Sequence, residues 1–278
     1  MLSYQHRYHA GNFADVHKHL ILTAVLQSLL RKPAPIAVID THAGEGLYDL
    51  TSDEAARNRE FEDGIERLLE APDPPETVRI YLDCVRAENP AGTLERYPGS
   101  PRIAEHLTRP GDDIILAELH PQAIALLRRT FATSPRVHVH RRDGFEALSA
   151  LVPPARKRGI VLIDPAYEKK SDYRATVQTI ERAHKRWSTG VYIVWYPLLP
   201  AGRHEDLLSA FNESGIRKIL RSEWHHRPSG GERGLYGSGM VLINPPWKVD
   251  DEIRAVTDWL LDTGFGTGPA VLDWLAPE

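Results

Sequence analysis

The chain predicts an α/β fold in which a Rossmann-like, doubly wound and mostly parallel sheet of seven strands carries helices on both faces. Two observations predict it. Short apolar runs rich in Val, Ile and Leu recur at residues 36–40, 114–119, 137–140, 160–164, 191–196 and 240–244, with 216–221 as a seventh. Runs of that length, apolar throughout, mark strands buried on both faces. Helical patterns lie between most of them, and such alternation winds crossover helices over both sides of a sheet.

Taken in order, Val16, Leu20, Thr23, Leu26 and Leu30 recur at helical spacing behind Asp15, which reads as their N-cap. About 70 residues then separate the run at 36–40 from the run at 114, far beyond a crossover of about 10–15 residues. Within them, 64–69 and 78–86 look helical and are split by the breaker Ala71-Pro72-Asp73-Pro74-Pro75. Residues from about 51 to 109 are therefore expected to be a helical insertion in a single domain spanning 1–278. Pro121 opens the helix after the second run, and Asp172 caps one that reaches Trp187.

Composition narrows the function. Hydrophobic residues at 42% and charged residues at 26% are ordinary for a soluble globular protein. The lone Cys84 excludes an internal disulfide and a cysteine-based zinc site. MLSYQHRYHAGN has no apolar signal-peptide core, and no stretch approaches the roughly 20 apolar residues of a membrane span. A cytoplasmic enzyme is the expectation, with no membrane and no obligate protein partner. A net charge of −4 argues against bulk electrostatic binding of nucleic acid. Basic residues still gather at Arg128-Arg129, Arg141-Arg142, Arg156-Lys157-Arg158, Lys169-Lys170, Lys185-Arg186 and Arg217-Lys218. Several follow strands, as a rim tracking phosphates requires; solvated faces are the plainer account.

Residues 160–167 read IVLIDPAY. A buried strand there delivers Asp164-Pro165-Ala166-Tyr167 to the carboxyl edge of the sheet, where α/β proteins bind ligands. The tetrapeptide is close to the D/N-P-P-Y/F/W loop with which methyltransferases hold an amino nitrogen. A carboxylate and a backbone carbonyl can orient an adenine amine whose lone pair is delocalised, and an aromatic ring can hold the base. Taken alone, the octet fits a strand ended by Pro equally well. Three further strand ends add to it. The first gives Asp40-Thr41-His42-Ala43-Gly44-Glu45-Gly46, a turn where glycine lets the backbone approach a nucleotide and the next helix N-terminus faces it. A third glycine of the dinucleotide fingerprint is missing, which counts against NAD. The second gives Glu118, placed for ribose hydroxyls, and the third gives Asp143-Gly144, placed for an adenine amine. Together the four have the order of a class I S-adenosylmethionine-dependent methyltransferase site.

Two features compete. Asn244-Pro245-Pro246-Trp247 matches the nitrogen-methylation loop more closely, but it follows the last run, far in sheet order from the glycine turn; position favours Asp164. The cluster Tyr4, His6, His9, Asn12, Asp15, His17, Lys18 and His19 has no carboxylate–histidine metal signature, and no metal is expected. It reads either as solvated helix-entry residues or as a segment folding over the site.

Nearly end to end, the chain resembles the 23S rRNA (adenine-N6)-methyltransferase J family. The likeness runs through MLSYxHxxHAGNxADVxKH at the start, DTHAGxG at 40–46, YPGSP at 97–101, ELHP at 118–121 and RxDGF at 141–145. It continues in LIDPxY at 162–167, WYP at 195–197, GIRKIL at 215–220 and NPPWK at 244–248. The resemblance implies S-adenosylmethionine contacts from His19, His42, Ser100, Glu118, Asp143, Gly144 and Asp164, with Gly44 in the glycine turn. It implies that Tyr4, His6 and Lys18 serve the substrate or close over it, with Lys18 beside the catalytic Asp164, Pro165, Ala166 and Tyr167. It also implies a helical insertion in the methyltransferase core and N6-methylation of one adenine in protein-free 23S rRNA; the aromatic ring of the loop makes Tyr167 the expected stacking face for that base. Other acceptors, DNA adenine or protein glutamine, and a catalytically silent RNA-binding relative are the alternatives. Ala166 departs from the family's second Pro, and Glu45, a second departure, is expected to face solvent.

Overall fold

The computed structural model describes residues 4–228 and 234–278; Met1 to Ser3 of the opening motif lie outside the described residues. A 3₁₀ turn (His6–Tyr8) leads into α1 (Phe13–Leu30) and β1 (Ala37–Asp40). The stretch before the next core strand holds β2 (Leu47–Asp49), α2 (Asp53–Asn58), a π-type turn (Glu62–Glu66) running into α3 (Arg67–Leu69), α4 (Glu76–Ala87), β3 (Arg96–Pro98) and α5 (Ser100–Leu107). Regular alternation follows: β4 (Asp113–Glu118), α6 (Pro121–Thr130), β5 (Val137–Arg141), α7 (Gly144–Leu151), β6 (Gly159–Ile163), α8 (Lys170–Arg186), β7 (Val191–Leu198) and α9 (His204–Glu213). The chain ends with β8 (Ile219–His225), β9 (Gly237–Ile243), α10 (Val249–Asp262) and β10 (Ala270–Ala276).

Among the described residues eight strands, not seven, form the main sheet, in the order β10-β8-β9-β7-β6-β1-β4-β5; β2 pairs with β3 in a separate two-stranded sheet. The addition is β10. It lies at the sheet edge with most residues half-buried or exposed, so it lacks the continuous apolar run of the central strands. The strands β7, β6, β1, β4 and β5 are mutually parallel. β9 runs antiparallel to both β7 and β8, and β10 antiparallel to β8. This is a Rossmann-like, mostly parallel sheet.

Strand alternation feeds two cores. Val38, Ile160, Leu162 and Ile193 face α1, α4, α5 and α10, while Ile39, Val161, Ile163 and Val194 face α7, α8 and α9. α1 is buried along nearly its whole length, because α4, α5, α10 and the sheet surround it. Its N-cap is Asn12, whose Oδ1 accepts from the amides of Ala14 and Asp15 at 3.0 and 2.9 Å. Asp15 is not the cap; it lies inside the first turn, where its carboxylate has other partners. Likewise Asp172 is three residues inside α8, accepting from the Lys169 amide at 3.0 Å. The π-type turn locks the start of α1: the Ile65 amide donates to the Gly11 carbonyl at 2.8 Å. A Cβ on Gly64 would stand 2.0 Å from that same oxygen, so only glycine allows the approach.

Strand direction sorts the edges of the sheet. Because β9 is antiparallel, its last residue Ile243 pairs with Tyr192 near the start of β7, at the amino edge. Asn244-Pro245-Pro246-Trp247 therefore leaves the sheet on the side away from Asp164. Asn244 donates to the carbonyls of Ser188 and Gly190 at 2.7 and 2.9 Å, and Trp247 is 84% exposed. The same logic thins the basic rim. Arg141-Arg142 and Lys169-Lys170 follow strands at the carboxyl edge, whereas Arg156-Lys157-Arg158, Lys185-Arg186 and Arg217-Lys218 precede strands at the amino edge. Arg156 is paired there with Asp113.

Trp247→Ala is expected to change unfolding free energy by less than about 0.5 kcal/mol in a denaturant titration. Asn244→Ala, which strands two carbonyls, should cost about 1 kcal/mol or more in the same titration.

Candidate active site

The carboxyl ends of β1, β4, β5, β6 and β7 open onto one cavity of about 750 Å³. The residues assigned to the cofactor, the catalytic loop and the substrate from the sequence line it: Tyr4, His6, Lys18, His19, His42, Gly44, Ser100, Glu118, Asp143, Gly144, Asp164, Pro165, Ala166 and Tyr167. The first turns of α1 cross above the sheet edge and bring polar groups down to it.

At the centre, Lys18 Nζ lies 2.5 Å from Asp164 Oδ2 and 2.9 Å from Asp15 Oδ1. Burial opposes the charge on Lys18, but Asp15 and Asp164 outweigh it and hold the amine well above the ordinary lysine value. Burial also opposes the charge on Asp15, yet His6 and Lys18 keep its carboxyl well below the usual range. Asp15 Oδ2 is bonded to His6 Nε2 at 2.8 Å and accepts from the Gly11 amide at 2.9 Å. His6 Nδ1 meets the Tyr4 hydroxyl at 2.8 Å, and the Tyr4 amide donates to Glu168 at 2.7 Å. Hydrogen bonds thus run unbroken from Tyr4 through His6, Asp15 and Lys18 to Asp164. With Oδ2 taken by Lys18, Asp164 has Oδ1 to accept a hydrogen from a ligand.

The other end of the cavity is built for a nucleotide. Gly44 (φ +61°) has its amide on Glu118 Oε2 at 2.8 Å, and the His120 amide is on Oε1 at 2.7 Å. Asp143 caps α7 with Oδ1, accepting from the amides of Phe145 and Glu146. A Cβ at Gly144 would meet the Thr41 carbonyl at 2.3 Å and the His42 ring at 2.7 Å. Burial pushes His42 down to about 4. The glycine turn runs into β2, not into a helix; the helix start here is α5, with Ser100 as its first residue. Ser100 Oγ donates to Asp40 Oδ2 at 2.6 Å, and burial raises Asp40 to about 6.

His19 carries an unmet hydrogen bond. It is buried, with its pKa driven well below the ordinary value by burial. The Tyr97 hydroxyl lies 2.6 Å from Nδ1 and 2.9 Å from the Tyr81 hydroxyl. Both hydroxyl hydrogens are used only if Tyr81 donates to Tyr97 and Tyr97 to Nδ1. Nε2 then bears the ring hydrogen, and it has no partner among the described residues. A buried donor at a cavity wall awaits an acceptor from a ligand. The remaining histidines of the N-terminal cluster have protein partners: His9 meets Glu60 at 2.9 Å, and His17 lies between Ser238 and Ser222.

Some expectations change. Glu45 does not face solvent: it is 13% exposed and accepts from Arg7 Nε at 2.9 Å, which ties the N-terminal segment to the glycine turn. Tyr167 is 9% exposed, its ring lies 4.4 Å from that of Tyr173, and its hydroxyl donates to the Trp195 carbonyl at 2.7 Å. Sequence reasoning misses Asp15, Asp40 and Trp195, all three of which the structure brings to the site or its immediate support. Asp40 was legible as the acid ending the first strand; Asp15 and Trp195 acquire their place only through tertiary contacts.

A family model described as ribosomal RNA large subunit methyltransferase D, RlmJ, matches residues 33–276. The chain is 42% identical over 280 residues to ribosomal RNA large subunit methyltransferase J of Escherichia coli (strain K12), and 41% identical over 281 residues to that of Haemophilus influenzae. Both alignments cover 100% of each chain. The crystal structure of protein LPL1258 from Legionella pneumophila is similar with a TM-score of 0.87 at 36% identity, over 95% of this chain and 97% of that one.

The buried histidines predict an acid-sensitive fold. His17, held down to about 3, His42 and His19 all have folded values below their ordinary 6.5. Their contribution is complete above pH 6.5 and is lost as pH falls, because the unfolded chain takes up protons that the folded chain refuses. Asp40 acts oppositely between its ordinary 3.8 and about 6, so it offsets only part of the loss. Thermal melts should therefore show the midpoint falling steadily as pH is lowered from 6.5 toward 4.

Proposed function

The chain belongs to the ribosomal RNA large subunit methyltransferase J family and is an S-adenosylmethionine-dependent rRNA methyltransferase; we propose that its acceptor is N6 of one adenine in 23S rRNA. The observation that carries this reading is Asp164, fixed by Lys18 at the mouth of the Asp-Pro-Ala-Tyr loop, in the same cavity as the glycine turn, Glu118 and Asp143.

The residues fit S-adenosylmethionine. Gly44 and Gly144 let the glycine turn pack on the Tyr48 hydroxyl and the start of α7 pack on Thr41 and His42, where a Cβ would collide, and among the described residues His19 Nε2–H is an unpartnered donor suited to a carboxylate. In this reading Glu118 takes the ribose hydroxyls, Asp143 the adenine amine of the cofactor, and His42 and Ser100 line the space between them. When bound, the cofactor supplies an electrophilic methyl group.

Asp164 Oδ1 and the main-chain carbonyl of Pro165 or Ala166 accept the two hydrogens of the acceptor amine and turn its lone pair toward the methyl group. Ala166 offers the same carbonyl as a second proline, and Pro165 still restrains Asp164, so the loop keeps its function. Tyr167, at φ +50°, is in a conformation costly for a bulky residue. Its bond to the Trp195 carbonyl and its packing on Tyr173 support it. Lys18 is not the base, since its partners keep it protonated. The proton released after transfer goes to water or to Asp164. Placing amine and methyl group together can account for about 7–11 kcal/mol of the barrier. Tyr4 and His6 close over the base, which leaves its stack to enter, as in other enzymes that modify bases. Residues 51–109 serve as a helical insertion that braces this closure, in a cytoplasmic enzyme that needs no obligate protein partner.

Incubation with labelled S-adenosylmethionine and unmodified, protein-free 23S rRNA, followed by digestion to nucleosides, should place label in N6-methyladenosine at one site. Label in another nucleoside, or transfer only to DNA adenine or protein glutamine, would reassign the acceptor. Cofactor binding without transfer would mark a silent relative. Asp164→Asn turns an acceptor into a clashing NH₂ group and deprives Lys18 of an anion. It should lower turnover by about 100-fold or more, with cofactor affinity measured by calorimetry kept.

A further inference from the structure

We propose that Trp195 is the principal face against which the acceptor base lies, an inference that rests on the assignment of adenine as the acceptor. β7 continues past the end of β6: Ile163 pairs with Val194, so Trp195 stands beside Asp164 across the sheet edge. Alternation along β7 and the loop after it brings Trp195, Pro197 and Leu199 to the cavity, while Tyr196 and Leu198 enter the opposite core. β7 and the loop after it therefore bring only uncharged side chains to the wall next to Asp164, and the largest of them is the Trp195 indole.

That indole is held in place. Trp195 Nε1–H donates to Ser238 Oγ at 2.9 Å, and Ser238 Oγ lies 2.9 Å from His17 Nδ1. His17 is buried and neutral, and Ser222 Oγ lies 3.2 Å from its Nε2. One arrangement satisfies every group: Ser238 accepts from Trp195 and donates to Nδ1, and Nε2–H donates to Ser222. The indole is thereby fixed through β9 and α1, with its one donor spent away from the cavity.

Tyr167 is the obvious stacking ring by its place in the loop, yet its ring is buried on Tyr173 and its hydroxyl is tied to the Trp195 carbonyl. The Tyr167 and Trp195 rings stand 6.1 Å apart at 51°, so Tyr167 backs the wall that Trp195 presents. Trp195 remains only partly buried, and a two-ring face offers a purine more contact than a phenol. Ser238 and His17 are positioning residues that act through it.

The test is methylation kinetics on protein-free 23S rRNA for Trp195→Ala, Trp195→Phe and Ser238→Ala, with cofactor affinity and melting temperature measured on each. Trp195→Ala should lower kcat/KM for RNA by about 10- to 100-fold, the range of lost base–aromatic stacking, with cofactor affinity unchanged. Trp195→Phe keeps an aromatic face without the Ser238 bond and should stay within about 3-fold of wild type; Ser238→Ala should fall between the two. Wild-type kcat/KM in Trp195→Ala would overturn the inference. So would losses in Trp195→Phe and Ser238→Ala as large as in Trp195→Ala, because the indole N–H would then matter and not the face. Wild-type protein that methylates no adenine would overturn the acceptor assignment itself, and this inference with it.

Discussion

One ammonium group organises this molecule. Lys18 sits between Asp15 and Asp164, two carboxylates 149 positions apart in the chain, and the contact joins the first turns of α1 to the loop after β6. Desolvating a lysine is costly, and it is tolerated here because two anions meet the charge with good geometry. Removing the cation would leave both carboxylates close together at a buried site. The arrangement also explains how α1 can be enclosed by protein while carrying Asp15, His17, Lys18 and His19 along its first turns. Each of these four side chains has a protein partner, and among the described residues His19 Nε2 is the one ring nitrogen of α1 left for a ligand.

Around that contact, strand direction decides what can take part in the chemistry. Five parallel strands end at the same edge, and there the chain places its glycine turn, Glu118, Asp143 and Asp164. The reversal at β9 sends the second nitrogen-methylation look-alike to the opposite edge, where Asn244 serves as a structural donor to two carbonyls. The N-terminal segment then crosses the open side of the cavity. It is secured by Arg7 on Glu45 and Glu54, His9 on Glu60, and the Gly11–Ile65 backbone bond. Glu54, Glu60 and Ile65 all come from the stretch between β1 and β4, which thus holds the start of α1 over the sheet edge.

Much of this was legible in the residues, for physical reasons that also mark the limits. Central parallel strands are buried on both faces, so they read as unbroken apolar runs; β10, half exposed at the edge, does not. The Asp-Pro-Ala-Tyr octet was ambiguous alone and became informative when three other strand ends carried groups of complementary use. Helix starts were less legible, because Asn12, Asp15 and Asp172 can all cap, and tertiary partners decide which one does. Glu45 was read as a solvent-facing charge because its partner Arg7 lies 38 positions away in the chain. Trp195 was visible only as part of a motif, since its exposure to the cavity depends on how far β7 outruns β6.

The most direct test of the central claim is single-turnover methylation of protein-free 23S rRNA by Lys18→Met, with cofactor affinity and melting temperature taken on the same sample. Methionine keeps the length of the side chain and removes the charge. If Lys18 fixes Asp164 for the acceptor amine, the rate of methyl transfer falls by about 100-fold or more while folded protein still binds S-adenosylmethionine. A folded Lys18→Met enzyme that transfers methyl at the wild-type rate would contradict the account.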